Sequence, residues 1–518
     1  DPRTASEFAA RDTILEISRI RGAYYSPNAR SQQDFRTSFS DRLIRDLHAP
    51  LGVDVYLETL VWDYDPFRSM VVANFTIVNT NAHPIQDVAL GFYSELATGY
   101  KDPSQTNPFS GWFDNKDIEA VDSVRVVMEH RHNTTYPWAG LVLLGTDPPL
   151  GPQACSFSWW EWTVDEPEND AARYRAMTTG LFENTDGFEA SADPVEVLSA
   201  GPFPGFFYPG DSLRISFAFV GGRPDPRTGG TARLDLLANA KTAQDAYNAN
   251  FDVPVPPPSP TVLIQPGRNQ IRLRWKDDPE FFEDPKSGLD FEGYRVYIAE
   301  SRADRDARLI MEADVLDSVF FNTGLDALRD TYVAGSDTFD YRYDIDNLRD
   351  GFRYWTAVTS FDAGGGPQNL PSLESGRTQN RTLVVPGDPT VRDAGSVKVF
   401  PNPYRGDAAW DGSISRDRYL WFINLPPRCN IRIFTLAGDL VDTIHFDSAT
   451  YHATEIRGIF DPTDRQNPEG DIPLLSGNMA AWDLISREDQ GVASGLYIFS
   501  VEDLDRGNVE LGKFLILK

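Results

Sequence analysis

Apolar and polar residues alternate in short runs along this chain, and two other stretches carry a helix-like pattern instead. Val53, Val55 and Leu57 are spaced by polar partners, as are Val72 with Asn74 and Phe75 with Thr76. A side-chain period of two marks a half-buried strand. The pattern continues through residues 88–92 and 140–144, and is cleanest at Leu213, Ile215, Phe217 and Phe219. Past residue 260 it returns at 271–275, 294–298 and 354–358, then at 419–423, 430–434, 496–501 and 513–517. Gly438-Asp439 and Arg506-Gly507 supply hairpin turns between such runs. The two exceptions read as helices. Residues 5–21 carry Ile14, Leu15, Ile17 and Ile20 as a narrow apolar face, and residues 231–250 carry Leu234, Leu237 and several alanines with few breakers.

Proline-rich stretches divide these runs. Pro254, Pro256, Pro257, Pro258 and Pro260 form a stiff extended spacer, and Val385-Pro386-Gly387-Asp388-Pro389 a second one. The expected organisation is an N-terminal arm at 1–50, a β-rich module at 51–253, and sandwich domains at 261–385 and 395–518. The fold class is mainly β, as tandem β-sandwiches with few helices. The arm has too few apolar residues for its own core, so it must dock on another surface, of its own chain or of a neighbouring subunit.

Composition narrows the partners. With 77 acidic against 48 basic residues the net charge is −29, which argues against nucleic acid and against an anionic membrane surface. No run of ~18 apolar residues is long enough to span a bilayer as a helix. Two cysteines, Cys155 and Cys429, exclude a disulfide framework and read as buried free thiols. The numbering opens at Asp1-Pro2-Arg3 without a methionine, and the expectation is a chain numbered from after a removed export segment.

Two domains carry a resemblance. Trp275 in an early strand, Gly293-Tyr294-Arg295-Val296-Tyr297, and the run from Asp346-Asn347-Leu348 through Tyr354-Trp355-Thr356-Ala357-Val358 look like the core and the tyrosine corner of a sandwich. On these residues 261–385 resembles a fibronectin type III domain, with a long insertion at 303–338. In 395–518 four blocks follow in order. They are Val397-Lys398-Val399-Phe400-Pro401-Asn402-Pro403-Tyr404, Cys429-Asn430-Ile431-Arg432-Ile433-Phe434-Thr435-Leu436-Ala437-Gly438, Ala493-Ser494-Gly495-Leu496-Tyr497-Ile498-Phe499 and Lys513-Phe514-Leu515-Ile516-Leu517-Lys518. This domain resembles the C-terminal sorting domains of proteins exported by the type IX secretion system, which implies secretion to the cell surface. It departs from that pattern in the long stretch 446–481. Such domains are also often removed on export, so this one is either an export signal or a permanent structural module. Leu51-Gly52-Val53, Trp62-Asp63-Tyr64 and residues 75–80 are similar to the N-terminal modules of secreted bacterial proteins with such tails, a resemblance that brings no activity with it.

Catalytic signatures are sparse. There is no Gly-x-Ser-x-Gly elbow and no His-Glu-x-x-His, and Gly364-Gly365-Gly366 lacks the Lys-Ser/Thr of a phosphate loop. His130 and His132 have ligand-like spacing beside Glu129, but a metal site draws on several elements. Asp114, Asn115, Asp117 and Glu119 alternate hard oxygen donors and are the candidate calcium ligands. Trp159, Trp160 and Trp162 read chiefly as core packing, with glycan contact as the functional alternative. The expectation is therefore a non-enzymatic, extracellular structural protein of a bacterial surface that associates with itself as the homopolymeric subunit of a filament or layer. It has no catalytic or cofactor-binding residue and no cofactor except calcium. The alternatives are a glycan-binding adhesin and a secreted hydrolase with an unrecognised N-terminal catalytic module.

Overall fold

The structure, a computed structural model, describes residues 9–10, 14–20, 23–42, 50–96, 98, 116–132, 137–162, 164, 166–183, 185, 193–224, 229–284, 286–300, 307–364, 371–387, 396–406, 420–451, 474–476, 478–488 and 490–517. Strands dominate, and among the described residues the only α-helices are Asp170–Ala176 and Ala232–Asn248. The chain forms two compact units, Asp1–Pro254 and Val255–Lys518.

The first unit is built on a nine-stranded antiparallel sheet. Its order is Ala9–Ala10, Gln33–Ser40, Val53–Val61, Met70–Asn79, Ser212–Gly222, Trp138–Asp147, Val126–Arg131 and Lys116–Val121, with Leu15–Ile17 also paired to Gln33–Ser40. A smaller sheet of Cys155–Glu161, Pro194–Ala200 and Leu90–Ser94 closes over one face. Between the sheets lie Leu141, Leu143, Ile215 and Phe217 from the large sheet, against Phe157, Leu198 and Ala200 from the small one. Large apolar residues at every second position of both layers make this a sandwich core.

The helix Ala232–Asn248 covers the opposite face. Thr231 caps it by accepting the Leu234 N–H at 3.3 Å. Its buried side is Leu236, Ala240, Ala243 and Ala246, small enough to lie close on the sheet. Gly222 permits that approach, because a Cβ there would meet the Ala232 carbonyl oxygen at 2.2 Å. The helix agrees with the sequence, but its seam is Leu236, while Leu234 is 60% exposed.

The expected helix over 5–21 does not form where the structure describes it. Leu15–Ile17 is a strand, and Ile14 and Leu15 face solvent. The run is too short to separate a period of 3.6 from a period of two, and three β-branched isoleucines favour the extended chain. Residues 33–40 pair along their whole length with Val53–Val61. That part of the 1–50 segment thus buries its side chains on its own chain.

In the second unit, Val262–Gly267, Gln270–Trp275, Asp337–Ile345 and Arg329–Ala334 form one sheet. Arg308–Asp314, Phe291–Ala299, Tyr354–Asp362 and Thr382–Val385 form the sheet facing it. This is the strand order of a fibronectin type III-like sandwich. Trp275, Tyr294, Val296, Tyr341 and Val358 are fully buried between the sheets. The corner is present too: the Arg349 N–H donates to the Tyr354 hydroxyl at 3.2 Å. Trp355 is buried, but on the outer face with Ala299 and Leu383, as alternation from the inward Tyr354 requires.

The last module pairs Lys398–Phe400, Leu420–Ile423 and Ala480–Trp482 in one sheet. The other runs Tyr404–Arg405, Val509–Leu517, Gly495–Asp503, Arg428–Thr435 and Leu440–Asp447. Phe422, Trp482, Phe499 and Phe514 pack between them edge to face. Gly512 makes room for this, since a Cβ there would meet the Phe499 ring at 2.1 Å. The long stretch 446–481 has a structural consequence. Its Leu474–Leu475 leaves the module and pairs in parallel with Val384 and Val385, extending the preceding sandwich's sheet by one strand. Val385, Trp421, Met479 and Ala481 fill the seam so formed. Both cysteines are buried free thiols.

Candidate functional site

The strand Lys116–Val121 decides where the sequence-selected acids point. Alternation sends Asp117 and Glu119 to the helix-covered face and Lys116, Ile118 and Ala120 to the interior. Glu119 is held by Arg233 on the helix, with Nε 2.9 and 3.0 Å from its two carboxylate oxygens. Asp117 receives His132 Nδ1 at 2.8 Å, and His130 Nε2 lies 3.5 Å from the same carboxylate. The His130 ring in turn stacks on Trp138 at 3.9 Å. The two carboxylates thus serve different partners, and the His-x-His pair shares one acid. Asp114 and Asn115 lie outside the described residues. Among the described residues no three His, Cys, Asp or Glu side chains converge as a metal site.

The tryptophans divide as alternation dictates. Trp160 is buried with Val195 and Val197, with Trp162 and Met177 packed beside it. Trp159 takes the other face, against the sandwich core and directly across from Glu196.

One group that the sequence reading missed sits where the two sheets meet at this end. Lys116, Glu129 and Glu196 are all completely buried. The Lys116 ammonium lies 2.9 Å from Glu129 and 3.2 Å from Asp193, and donates to the Leu96 carbonyl at 2.7 Å. Burial raises the Glu129 pKa, although Glu196 and Lys116 beside it pull the other way. Burial and then the Glu129 charge push Glu196 well above the usual carboxylate range. Burial opposes the charge on Lys116, but Glu129 and Asp193 outweigh it and the pKa is raised. Glu196 accepts the Ser94 hydroxyl, which opposes the rise of its own pKa. The arrangement ties one sheet to the other and is closed to solvent. Its signal in the sequence is a lone charge on an otherwise apolar strand face: Lys116 beside Ile118, Glu129 beside Val127, and Glu196 within Val195-Glu196-Val197-Leu198.

An apolar surface lies on the outer face of the C-terminal sheet. The face opposite Phe499 and Phe514 carries Leu496 and Ile498 on one strand and Leu511, Lys513 and Leu515 on the next. Leu515 lies across from Leu496, and Lys513 across from Ile498. Phe434 continues the strip beside Ile498. Leu511 is 71% exposed and Val509 59%. Among these residues stand Lys513 and the Arg432–Glu502 pair at 2.9 Å, and farther along the face the Arg428–Asp505 pair, also at 2.9 Å. An apolar strip rimmed by polar residues is the mark of a protein contact surface.

No family model matches the chain, and no curated protein does. Among solved structures, a polysaccharide lyase is 10% identical with a TM-score of 0.20, over 65% of this chain and 34% of that one. This chain thus spans about a third of that lyase. The type-IX secretion component PorZ of Porphyromonas gingivalis is 11% identical with a TM-score of 0.16, over 50% of this chain and 39% of PorZ. A two-domain fibronectin type III segment of chicken tenascin is 9% identical with a TM-score of 0.16, covering 51% of this chain and all of that segment. These likenesses carry no functional argument. No described helix is long and apolar enough to cross a membrane.

Proposed function

We propose that this is a secreted structural protein of a bacterial cell surface, without catalysis, which associates with further copies of itself through the outer face of its C-terminal sheet. The observation that carries the reading is the strip on the outer face of that sheet in which Leu496 and Leu511 are exposed and Ile498 and Leu515 half-buried. The strip bears Lys513 and neutralised pairs, whereas the chain as a whole carries −29. A second copy's acidic surface complements it better than a second strip does. Such a contact joins two different patches, and head-to-tail contacts that do not close into rings grow into filaments.

The resemblance of 395–518 to type IX sorting domains supports export. The parallel pairing of Leu474–Leu475 with the preceding sandwich supports retention of the module as permanent structure, because its removal would strip that sheet of an edge strand. Negative-stain electron microscopy of the purified chain tests the reading. Filaments or regular layers are expected at high protein concentration, and uniformly single particles at every concentration would overturn it.

A further inference from the structure

The stretch 303–338, which the fibronectin type III-like module carries as an insertion, exposes an apolar tip. Leu316 is 68% exposed, Phe320 48% and Phe321 73%, all in the loop that follows the strand Arg308–Asp314. Single apolar side chains on a surface are ordinary, but three within six positions call for a partner. A phenylalanine carries on the order of 200 Å² of surface, so the two rings alone leave roughly 240 Å² in water.

The loop is held in shape from below. The Asp314 carboxylate accepts the N–H groups of Phe321 at 2.7 Å and Asn322 at 2.8 Å, and both the N–H and the hydroxyl of Thr323. Burial opposes a charge there, but these bonds outweigh it and keep the Asp314 carboxyl below its ordinary value. The Asn322 side chain accepts the Ser318 N–H and donates to the Val319 carbonyl at 3.0 Å. The Val315 N–H ties the start of the loop to the Glu292 carbonyl at 2.8 Å. Ser318, Phe320 and Asn322 take positive φ, at 80°, 48° and 51°, a region costly to residues other than glycine. The bonds from Asp314 and Asn322 sustain that backbone. Phe320 keeps an edge contact with Phe361 at 5.9 Å, while Phe321 stands clear. A loop already fixed loses little freedom on docking.

The tip and the apolar strip of the C-terminal sheet belong to one compact unit, Val255–Lys518. Both are exposed within a single chain, so they do not cover each other there. Their charges are opposite: exposed Lys513 stands among Leu496, Leu511 and Leu515, and exposed Asp317 stands beside Leu316 and ahead of the two phenylalanines. We propose that the loop 315–323 docks on this strip in a second copy of the chain, its rings on the exposed leucines and Asp317 facing Lys513. Opposite charges fix the register of such a contact. Two different patches that meet between copies make a head-to-tail contact. The inference rests on the C-terminal sheet being a self-association surface, and adds the element that it receives.

Sedimentation equilibrium of the full chain tests it, with wild type, Phe321→Asp, Leu511→Lys and an equimolar mixture of the two variants. The wild-type mass should climb with concentration, and each variant alone should stay at the monomer mass. The mixture should reach the mass of a dimer and stop, because each variant keeps the surface that the other has lost. Dimers in the mixture also establish that both variants are folded. Asp317→Lys, at an exposed side chain, should weaken wild-type association by about tenfold, and adding Lys513→Glu to the same chain should restore it. A monomeric wild type would overturn both the sheet surface and its partner. If Leu511→Lys is monomeric while Phe321→Asp assembles as the wild type does, the sheet surface stands and the loop is refuted as its partner. Two folded monomeric variants, each with wild-type hydrogen exchange, whose mixture stays monomeric would refute the loop-to-strip pairing as well.

Discussion

Replacing Lys116 by Met is the sharpest probe of the N-terminal sandwich. The substitution keeps the side-chain stem and removes the ammonium that lies 2.9 Å from Glu129 and 3.2 Å from Asp193. Glu129 and Asp193 then stay without their cation, beside Glu196, whose pKa burial already raises. Breaking a buried pair by deleting one partner costs about 3–5 kcal/mol, because the remaining charge is uncompensated. The cost should depend on pH. Glu129 already lies above its ordinary 4.5, and without Lys116 it rises further. A folded-state acid with a raised pKa holds more protons than the unfolded chain, so its contribution falls as pH rises from the ordinary range through the raised value. Lys116→Met should therefore lose more stability at pH 8 than at pH 5. Adding Glu129→Gln removes the stranded charge and should recover a large part of the loss. Native-state hydrogen exchange of peptides covering 126–131 and 194–200 reads the opening free energy locally. The strand 270–275, which belongs to the other compact unit, serves as an internal reference. Unchanged protection, or a loss of equal size at both pH values, would refute the assignment of Lys116 as the counter-charge.

Three further expectations follow from packing and burial. Trp275→Ala should cost about 3–5 kcal/mol in the exchange stability of its own sandwich, as large aromatic truncations in cores do. Tyr354→Phe should cost about 1 kcal/mol by removing the acceptor of the Arg349 N–H, and a neutral outcome would show that the corner bond adds nothing. Cys429, its thiol pushed up to about 12 by burial, should resist thiol reagents at pH 8 until the chain is unfolded. Labelling of the native protein at the rate of a free thiol would contradict its place in the core.

Alternation made the sandwich strands legible, because one face of each is buried and a period of two survives even in short runs. The tyrosine corner was legible for a related reason: Leu348 and Tyr354 bracket a tight turn whose geometry the residue types demand. The helix expected over 5–21 failed where local pattern loses to pairing, since Leu15–Ile17 completes an edge beside Gln33–Ser40. Asp117 and Glu119 alternate in the sequence, but their partners, His132 and Arg233, arrive from the turn after the neighbouring strand and from the helix. No spacing within the segment reveals them. The Lys116–Glu129–Glu196 group assembles from three strands of two sheets, and its trace is a single charge in each apolar run. The pairing of Leu474–Leu475 with another module is likewise invisible to local pattern, because a two-residue parallel bridge has no period.

Self-association is the central claim, and sedimentation equilibrium of the full chain against Leu511→Lys measures it most directly. Leu511 is the most exposed apolar residue of the strip, and its replacement leaves the inward face of Phe514 and Ile516 intact. The account predicts a wild-type mass that climbs steadily with protein concentration, and a variant that remains at the monomer mass over the same range. A wild type that is monomeric throughout, or a variant that assembles as the wild type does, would contradict it.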